Sequence, residues 1–591
     1  MAYVKNSYRP GSLKRKESPV FMRDVDDFQM TSVPAAVASW ILESIDFRES
    51  VNASFEWDPV QCNVAPGDAM KAMVMTMVMT AERPALENVA GRFHRQPLEL
   101  YFDTVTRPAD LSPDMLARTL TRYYEYGTDR LFSSVSLAMR AKWGIVTKAV
   151  HSDTTSVSVQ GIYDRYDSDG DAMIRDSEGN LILDTEVMHI TEGYSKDHRP
   201  DLKQYMIGEV VDDNGLPILS KPLDGNTDDR VWNAQCLEML EDMLKEQNLI
   251  YVADSKLASD PLVSSMMRKN ISFLTRCPAN FDELLLERTL MTFDLDSLTP
   301  MDNVSKRKDA AKRRYSETVV DYSGGPLRAI LVETSTLAGR GEKAVEKENA
   351  SFLKRLDGFQ REYHCKADAE KAFGKFLKRN SKGIFDISAE YEHRLEEHRP
   401  RGRPKKDGSD IRRMDVWTVK VSYEPNPVKV ETLRRKKGYI LLLSNVPTPK
   451  KDPENGMDAE ALVRLYANEW KVEGSIRTKK RPVLAERLYV KDPARAEALV
   501  SVVCIAALVR GMMQLLMRRG VSCLTDGELP KIGRSGAPLQ RNVTVDYFMN
   551  VCSDCQIRYD PATHAFRFLT SEDMRSMAFL DLMGIPMQEL F

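Results

Sequence analysis

Two aspartates stand in stretches that read as β-strands. Asp153 sits in "HSDTTS", among Thr, Ser and Val, and Asp254 closes the apolar run "NLIYVAD". β-Branched, alternating residues favour strands. At the end of a strand in an open α/β sheet, a side chain projects toward the crevice where such sheets bind ligands. A carboxylate on a buried strand is costly unless it is paired or holds a metal. Two on neighbouring strands suit a divalent cation, because Mg²⁺ takes hard oxygen donors; separate structural ion pairs are the plain alternative. A third carboxylate has to come from "DAEALVRLYANEWKVEGSIRTKK" (458–480). There Tyr466, Glu469, Glu473, Arg477 and Lys480 recur at three- and four-residue spacing and share one face of a predicted helix. The plain alternative is a surface Glu473–Arg477 pair worth about 0.2–0.5 kcal/mol. A different chemistry is suggested by "GYSKDHRPDLKQ" (193–204), where Asp197, His198 and Arg199 stand side by side like an acid–base relay.

Positioning these groups requires a sheet, and the chain offers strands in succession. "TKAVHSDTTSVSVQG" (147–161) is one, and "YMIGEVVDDNGLPI" (205–218) runs into an Asp-Asn-Gly turn and out again. "NLIYVADSKLAS" (248–259), "ISFLTRCP" (271–278) and "GYILLLSN" (438–445) follow. Ahead of them residues 1–145 read as a helical domain. "AMKAMVMTMVMT" (69–80) is a methionine-rich core helix, and "SPDMLARTLTRYYEYG" (112–127) has a serine N-cap and a closing glycine. The glycine-punctuated stretch 163–180 reads as a solvated hairpin tip. A calcium loop there lacks its first acid, which is Arg165, and its closing glutamate, which is Asp176.

Residues 290–436 break the rhythm and read as an insertion, with charged helices over 348–380 and a strand over "DVWTVKVSYEPNPVKVE" (415–431). The expected organisation is a helical domain (1–145), a core in two parts (146–289 and 437–520), an inserted domain (290–436) and a C-terminal region (521–591).

The bulk numbers are permissive. At 591 residues the chain holds roughly three to four domains, with 29% charged residues and a formal net charge of −3. Global charge gives no argument for nucleic acid, but local clusters do. Residues 306–314 carry six basic side chains against one acid, 399–413 carry seven against two, and 434–437 are "RRKK". Such clusters neutralise phosphates, although a solvated surface is the plain alternative for each. Within the second, "RPRGRPKK" is similar to the core of an AT-hook, so Arg401, Arg403, Lys405 and Lys406 are candidates for a narrow A·T minor groove. The start of the chain lacks the apolar run of a secretory signal, and "ALVSVVCIAALV" (498–509) is too short to span a bilayer. Eight cysteines in such a chain suit a reducing cytoplasm. Cys552 and Cys555 form a C-x-x-C pair, but a zinc site needs two more ligands.

Taken together, the motifs resemble a DDE transposase of the insertion-sequence-4 superfamily, closest to its insertion-sequence-1634 group, over about residues 66–520. The carriers are "HSDTTS", "GYSKDHRPDLKQ", "LDGNTDD" (223–229), "VADSK", "KRPV" (480–483) and the helix signature. In that signature Tyr466, Glu473 and Lys480 are in register, while Glu469 replaces the expected arginine. The resemblance implies a mixed α/β, ribonuclease H-like core interrupted by an inserted α+β domain, with Asp153, Asp254 and Glu473 as catalytic and metal-binding triad for two Mg²⁺, or Mn²⁺ in substitution. It also implies DNA contacts from Tyr466 and Lys480. Arg477, Lys196 and Arg199 are further candidates, the last two for phosphate or for ion pairs with Asp197 and Asp201. Because metals lower the pKa of water themselves, His198 is not needed as a base. The implied activity is cut-and-paste transposition by a homodimer acting on terminal inverted repeats and target DNA, on the prokaryotic nucleoid and away from membranes. A catalytically inactive DNA-binding protein of this fold, and a ribonuclease H-fold nuclease that cuts without joining, are the alternatives.

Overall fold

The computed structural model describes residues 29–79, 85–159, 187–195, 199, 201–278, 283–302, 311–322, 325–398, 412–469, 474–475, 492–533, 536–552, 555–568 and 573–590. The chain forms two compact units, residues 1–254 with 467–591, and residues 255–466. The second is inserted into the chain of the first.

The first unit is built on four strands, β1 (Ala149–Val159), β2 (Lys203–Asp212), β3 (Pro217–Leu223) and β4 (Ile250–Ala253). Their spatial order is β3-β2-β1-β4. β1, β2 and β3 are antiparallel neighbours, and β4 runs parallel to β1. A mixed sheet flanked by helices is the mixed α/β arrangement expected from the sequence. The predicted Asp-Asn-Gly turn joins β2 to β3. Asp212 accepts hydrogen bonds from the backbone N–H groups of Asn214 and Leu216, both at 2.8 Å, and Gly215 supplies the positive φ of 77° that an L side chain resists.

Between β3 and β4 the chain crosses over through α6 (Asp229–Met239), capped by Asp228, whose side chain accepts from Arg230 N at 2.8 Å. Its Trp232 donates to Ser152 Oγ at 3.0 Å, and the ring lies on Gly208, where a Cβ would come within 2.5 Å of it. Alternate strand residues point to opposite faces. Ser152, Thr154 and Gly208 therefore face α6, while Asp153 and Glu209 face away from it.

The longer helices ahead of the sheet are α1 (Val33–Glu43), α2 (Phe47–Ser54), α3 (Pro66–Met79), α4 (Pro113–Tyr126) and α5 (Thr128–Lys142). They share one core with the long helix Pro493–Ser522. α3 is buried on every side, which an apolar composition without a polar face dictates. The predicted ends of α4 are present: Ser112 Oγ accepts from Met115 N at 3.4 Å, and Gly127 closes the helix at φ 108°. The helix Pro493–Ser522 is long and apolar enough to cross a membrane, yet 83% of its most apolar stretch is buried in protein.

In the second unit β5 (Ser272–Arg276), β10 (Tyr439–Ser444), β7 (Gly325–Thr334) and β6 (Arg313–Tyr322) pair antiparallel in that order. β8 (Phe385–His398) and β9 (Arg412–Pro425) form a ribbon paired over their whole length. Its helices include α7 (Arg340–Asp357), α8 (Lys366–Asn380), α9 (Pro427–Gly438) and α10 (Ala459–Tyr466).

The structure corrects two expectations. The strand predicted over 415–431 stops at Pro425. Asn426 Oδ1 accepts from Val428 N and Lys429 N at 3.0 and 3.1 Å and starts α9; Asn followed by proline at the first helical position is a helix-starting pair that outweighs the alternating valines. The single helix predicted over 458–480 is also broken. α10 ends at Tyr466 and a 3₁₀ turn spans Ala467–Glu469. Leu462, Val463 and Leu465 are buried, whereas Tyr466, Ala467 and Asn468 are half-exposed. Burial no longer holds the α-helical register there, and the one-face spacing of Tyr466 and Glu469 does not carry through.

Candidate active site

The parallel register pairs Ala149 with Ile250 and Ser152 with Ala253. The pairing ends there: Asp153 is the next residue of β1, and Asp254 is the first residue past the carboxyl end of β4. Both are half-buried, and Asp153 Oδ1 accepts the backbone N–H of Thr154 at 2.7 Å. Carboxylates are hard-oxygen donors, the chemistry a divalent cation requires. Among the described residues no group of three or more His, Cys, Asp or Glu is placed to hold a metal ion. Glu473, the expected third ligand, lies outside the described residues.

Across β1 and β2, Asp153 stands directly opposite Glu209, so the two side chains project from the same face. Glu209 is fully buried. Ser475, in a short helical stretch at 474–475, donates its hydroxyl to Glu209 Oε1 at 2.8 Å. Sequence reasoning passed over Glu209; the visible signal is a single acid inside the apolar run "YMIGEVV" (205–211).

On the opposite face the groups are structural. Thr154 Oγ1 donates to Asp229, and Tyr251 donates to Asn233 Oδ1 at 2.8 Å. Burial holds the Tyr251 hydroxyl well above its usual range and pushes the Cys236 thiol up to about 12. Both are neutral, so neither offers a base or a nucleophile.

The two diagnostic loops meet beside β2. Thr191 bridges Gln204, and Gln204 Nε2 donates to Gly225 O at 2.6 Å. A Cβ on Gly193 would lie 2.2 Å from Gly225 O, and one on Gly225 would lie 2.0 Å from Gln204 O. The glycines of "GYSKDHRPDLKQ" and "LDGNTDD" are thus required by close backbone approach. In the same loop Arg199 forks onto Asp201, Nε to Oδ1 at 2.9 Å and Nη2 to Oδ2 at 2.8 Å. This bidentate pair occupies the guanidinium that was also a candidate for phosphate. Lys196, Asp197 and His198 lie outside the described residues, as do Arg401, Arg403, Lys405, Lys406, Arg477, Lys480 and the 163–180 stretch. Tyr466 is the last residue of α10 and half-exposed.

The other basic clusters are partly engaged within the second unit. Arg434 pairs with Glu342 and Glu431, and Arg435 with Glu431 and the carbonyls of Leu290 and Phe293. Arg314 pairs with Glu333 at 2.5 Å. Lys312, Arg313, Arg314 and Arg434 line a cavity of about 650 Å³. In the first unit, Cys552 and Cys555 are buried in the core, and burial pushes the Cys552 thiol up to about 12, which opposes the thiolate that a metal needs.

The family described as Domain of unknown function (DUF4277) matches residues 35–137, from α1 into α5. No curated protein matches the chain. Among solved structures, the cryo-EM structure of a piggyBac transposase synaptic complex with hairpin DNA is similar over 95% of this chain and 88% of that one, at 10% identity and a TM-score of 0.32. A likeness that slight carries no argument about mechanism.

Proposed function

We propose that the chain is a DDE-type transposase that cleaves DNA and joins the freed 3′ ends to target DNA. The observation that supports it most is the parallel register of β1 and β4, whose last pair, Ser152 with Ala253, comes immediately before Asp153 and Asp254 in the chain. Asp153, Asp254 and Glu473 would hold two Mg²⁺ or Mn²⁺ ions. When bound, such a pair polarises the scissile phosphate and lowers the pKa of the attacking water or hydroxyl. Tyr466, Arg477 and Lys480 would address backbone phosphates nearby, fixing register without reading sequence. The ribbon β8–β9 is joined through residues 399–411, which contain Arg401, Arg403, Lys405 and Lys406, so that segment is the proposed grip on duplex DNA. The helices of the first 145 residues are the proposed reader of the terminal repeats. A homodimer is the economical way to hold two ends together, and the prokaryotic nucleoid is the setting in which these substrates occur.

The test incubates the purified full chain with DNA carrying any inverted repeats found to flank its gene, with and without Mg²⁺, and scores cleavage and joining separately. Both products are expected, and both vanish in EDTA. Cleavage without joining would leave a nuclease of the same fold. Binding with neither product would leave a DNA-binding protein.

A further inference from the structure

Helix α8 turns one row of side chains inward. Ala369, Phe376 and Asn380 are buried. The Phe376 ring lies 4.9 Å from that of Phe359 and 6.2 Å from that of Phe352 in α7, and the Phe373 ring lies 6.5 Å from that of Tyr391 in β8. At 3.6 residues per turn, Lys371, Lys375, Lys378 and Arg379 fall within one arc of about 100° on the other side of the helix, and all four are exposed. Residues 371–380 hold these four cations and no acid. The acid that shares this side, Asp368 in the first turn, accepts a hydrogen bond from the Cys365 thiol at 3.1 Å.

Among the described residues, none of the four charged ends makes an ion pair or a hydrogen bond. Other cations of the same unit do. Arg355 pairs with Glu348, Arg394 with Glu362 and Glu396, and Lys429 with Asp386. A helix C-terminus favours the positive charge of Lys378 and Arg379, but Lys371 and Lys375 stand in mid-helix without that support. Like charges four residues apart repel, as Lys371 does Lys375 and Lys375 does Arg379. A polyanion laid along the face removes that repulsion. From Lys371 to Arg379 the helix rises about 12 Å, a length over which duplex DNA carries about seven charges.

We propose that this basic face of α8 is a contact surface for the phosphate backbone of duplex DNA. It rests on the reading of the chain as a DNA-binding transposase, and adds a surface that no motif marked. The four side chains act as point charges: they hold the duplex and read no sequence.

The test measures binding of the full chain to a fluorescent duplex lacking the terminal repeats, by anisotropy over a NaCl series without Mg²⁺. Wild type is compared with K371Q/K375Q, K378Q/R379Q, the four changes combined, and K371R/K375R. K450Q/K451Q, two exposed lysines of the loop after β10, is the control. Glutamine is a good helix former, and thermal melting checks that every variant is folded. Each glutamine pair should lower the slope of log affinity against log salt by about two, and the four together by about 3–4. K371R/K375R and the control should keep the wild-type slope. An unchanged slope in the folded fourfold variant overturns the proposal, as does an equal fall in the control. Binding of phosphatidylglycerol vesicles that the fourfold variant loses while its DNA binding stays intact also overturns it, in favour of a lipid surface. A wild type that binds no duplex overturns the DNA-binding reading itself.

Discussion

At the level of single residues, the sharpest constraints are close approaches and buried charges. Gly208 carries the Trp232 ring at a distance no Cβ tolerates, so Gly208→Ala should destabilise the first unit by about 1–3 kcal/mol, measured by urea unfolding. In the helical core, Lys71 is fully buried; its Nζ donates to Glu43 Oε1 and to the Tyr101 carbonyl, both at 2.7 Å. Arg48 forks onto the same glutamate and reaches Asp68. Removing one member of such a group leaves a buried charge unmatched, so Lys71→Ala should cost about 3–5 kcal/mol in the same measurement. Asp153 and Asp254 were legible as candidates because an acid in a β-branched strand is conspicuous. Glu209 was not, because nothing local tells which face of β2 it occupies; only the register against β1 does.

At the level of elements, strands with a clean apolar pattern and helices with marked caps were readable. β1, β4 and α4 lie within the predicted stretches, and the β2–β3 hairpin overruns the predicted 205–218 at both ends. The failures came where local and tertiary signals compete. Valines after Asn426 suggested continuation of a strand, but a capping asparagine and proline turned the chain into α9. The predicted helix over 458–480 lost its α-register after Tyr466, where Tyr466, Ala467 and Asn468 are only half-buried. Within the second unit, Arg328 shows what fixes a loop no motif foretold. Nearly buried, it pairs with Glu317 and donates to the carbonyls of Val446, Pro447 and Met457 at 3.0, 3.3 and 2.7 Å. Arg328→Met strands those acceptors and should lower the stability of the second unit by about 2–3 kcal/mol, read as selective loss of hydrogen-exchange protection over residues 444–457. For the ribbon, Arg401→Ala with Arg403→Ala should reduce the steepness of the salt dependence of DNA binding by about two counterions; an unchanged slope would remove that segment from the interface.

At the level of the whole molecule, the acid limb of stability follows from the helical core. Burial raises the Glu43 carboxyl, but the charge of Lys71 and the bonds from Arg48 outweigh it and bring the pKa from 4.5 down to about 2. A depressed folded-state value contributes stability that is present above about pH 4.5 and is lost as the pH falls toward 2. The loss is on the order of 3 kcal/mol, to be seen as a falling denaturation midpoint that Glu43→Gln flattens. The division into two units at residues 254 and 467 is defined by packing between segments distant in the chain. The central claim is that Asp153 and Asp254 together serve metal-dependent DNA cleavage. The most direct test is single-turnover cleavage of repeat-ended DNA in Mg²⁺ by wild type and Asp254→Ala, with DNA binding measured in parallel. The account predicts binding within about twofold of wild type and cleavage reduced by at least about a thousandfold, roughly 4 kcal/mol of barrier. Asp254→Ala cutting at the wild-type rate would contradict it.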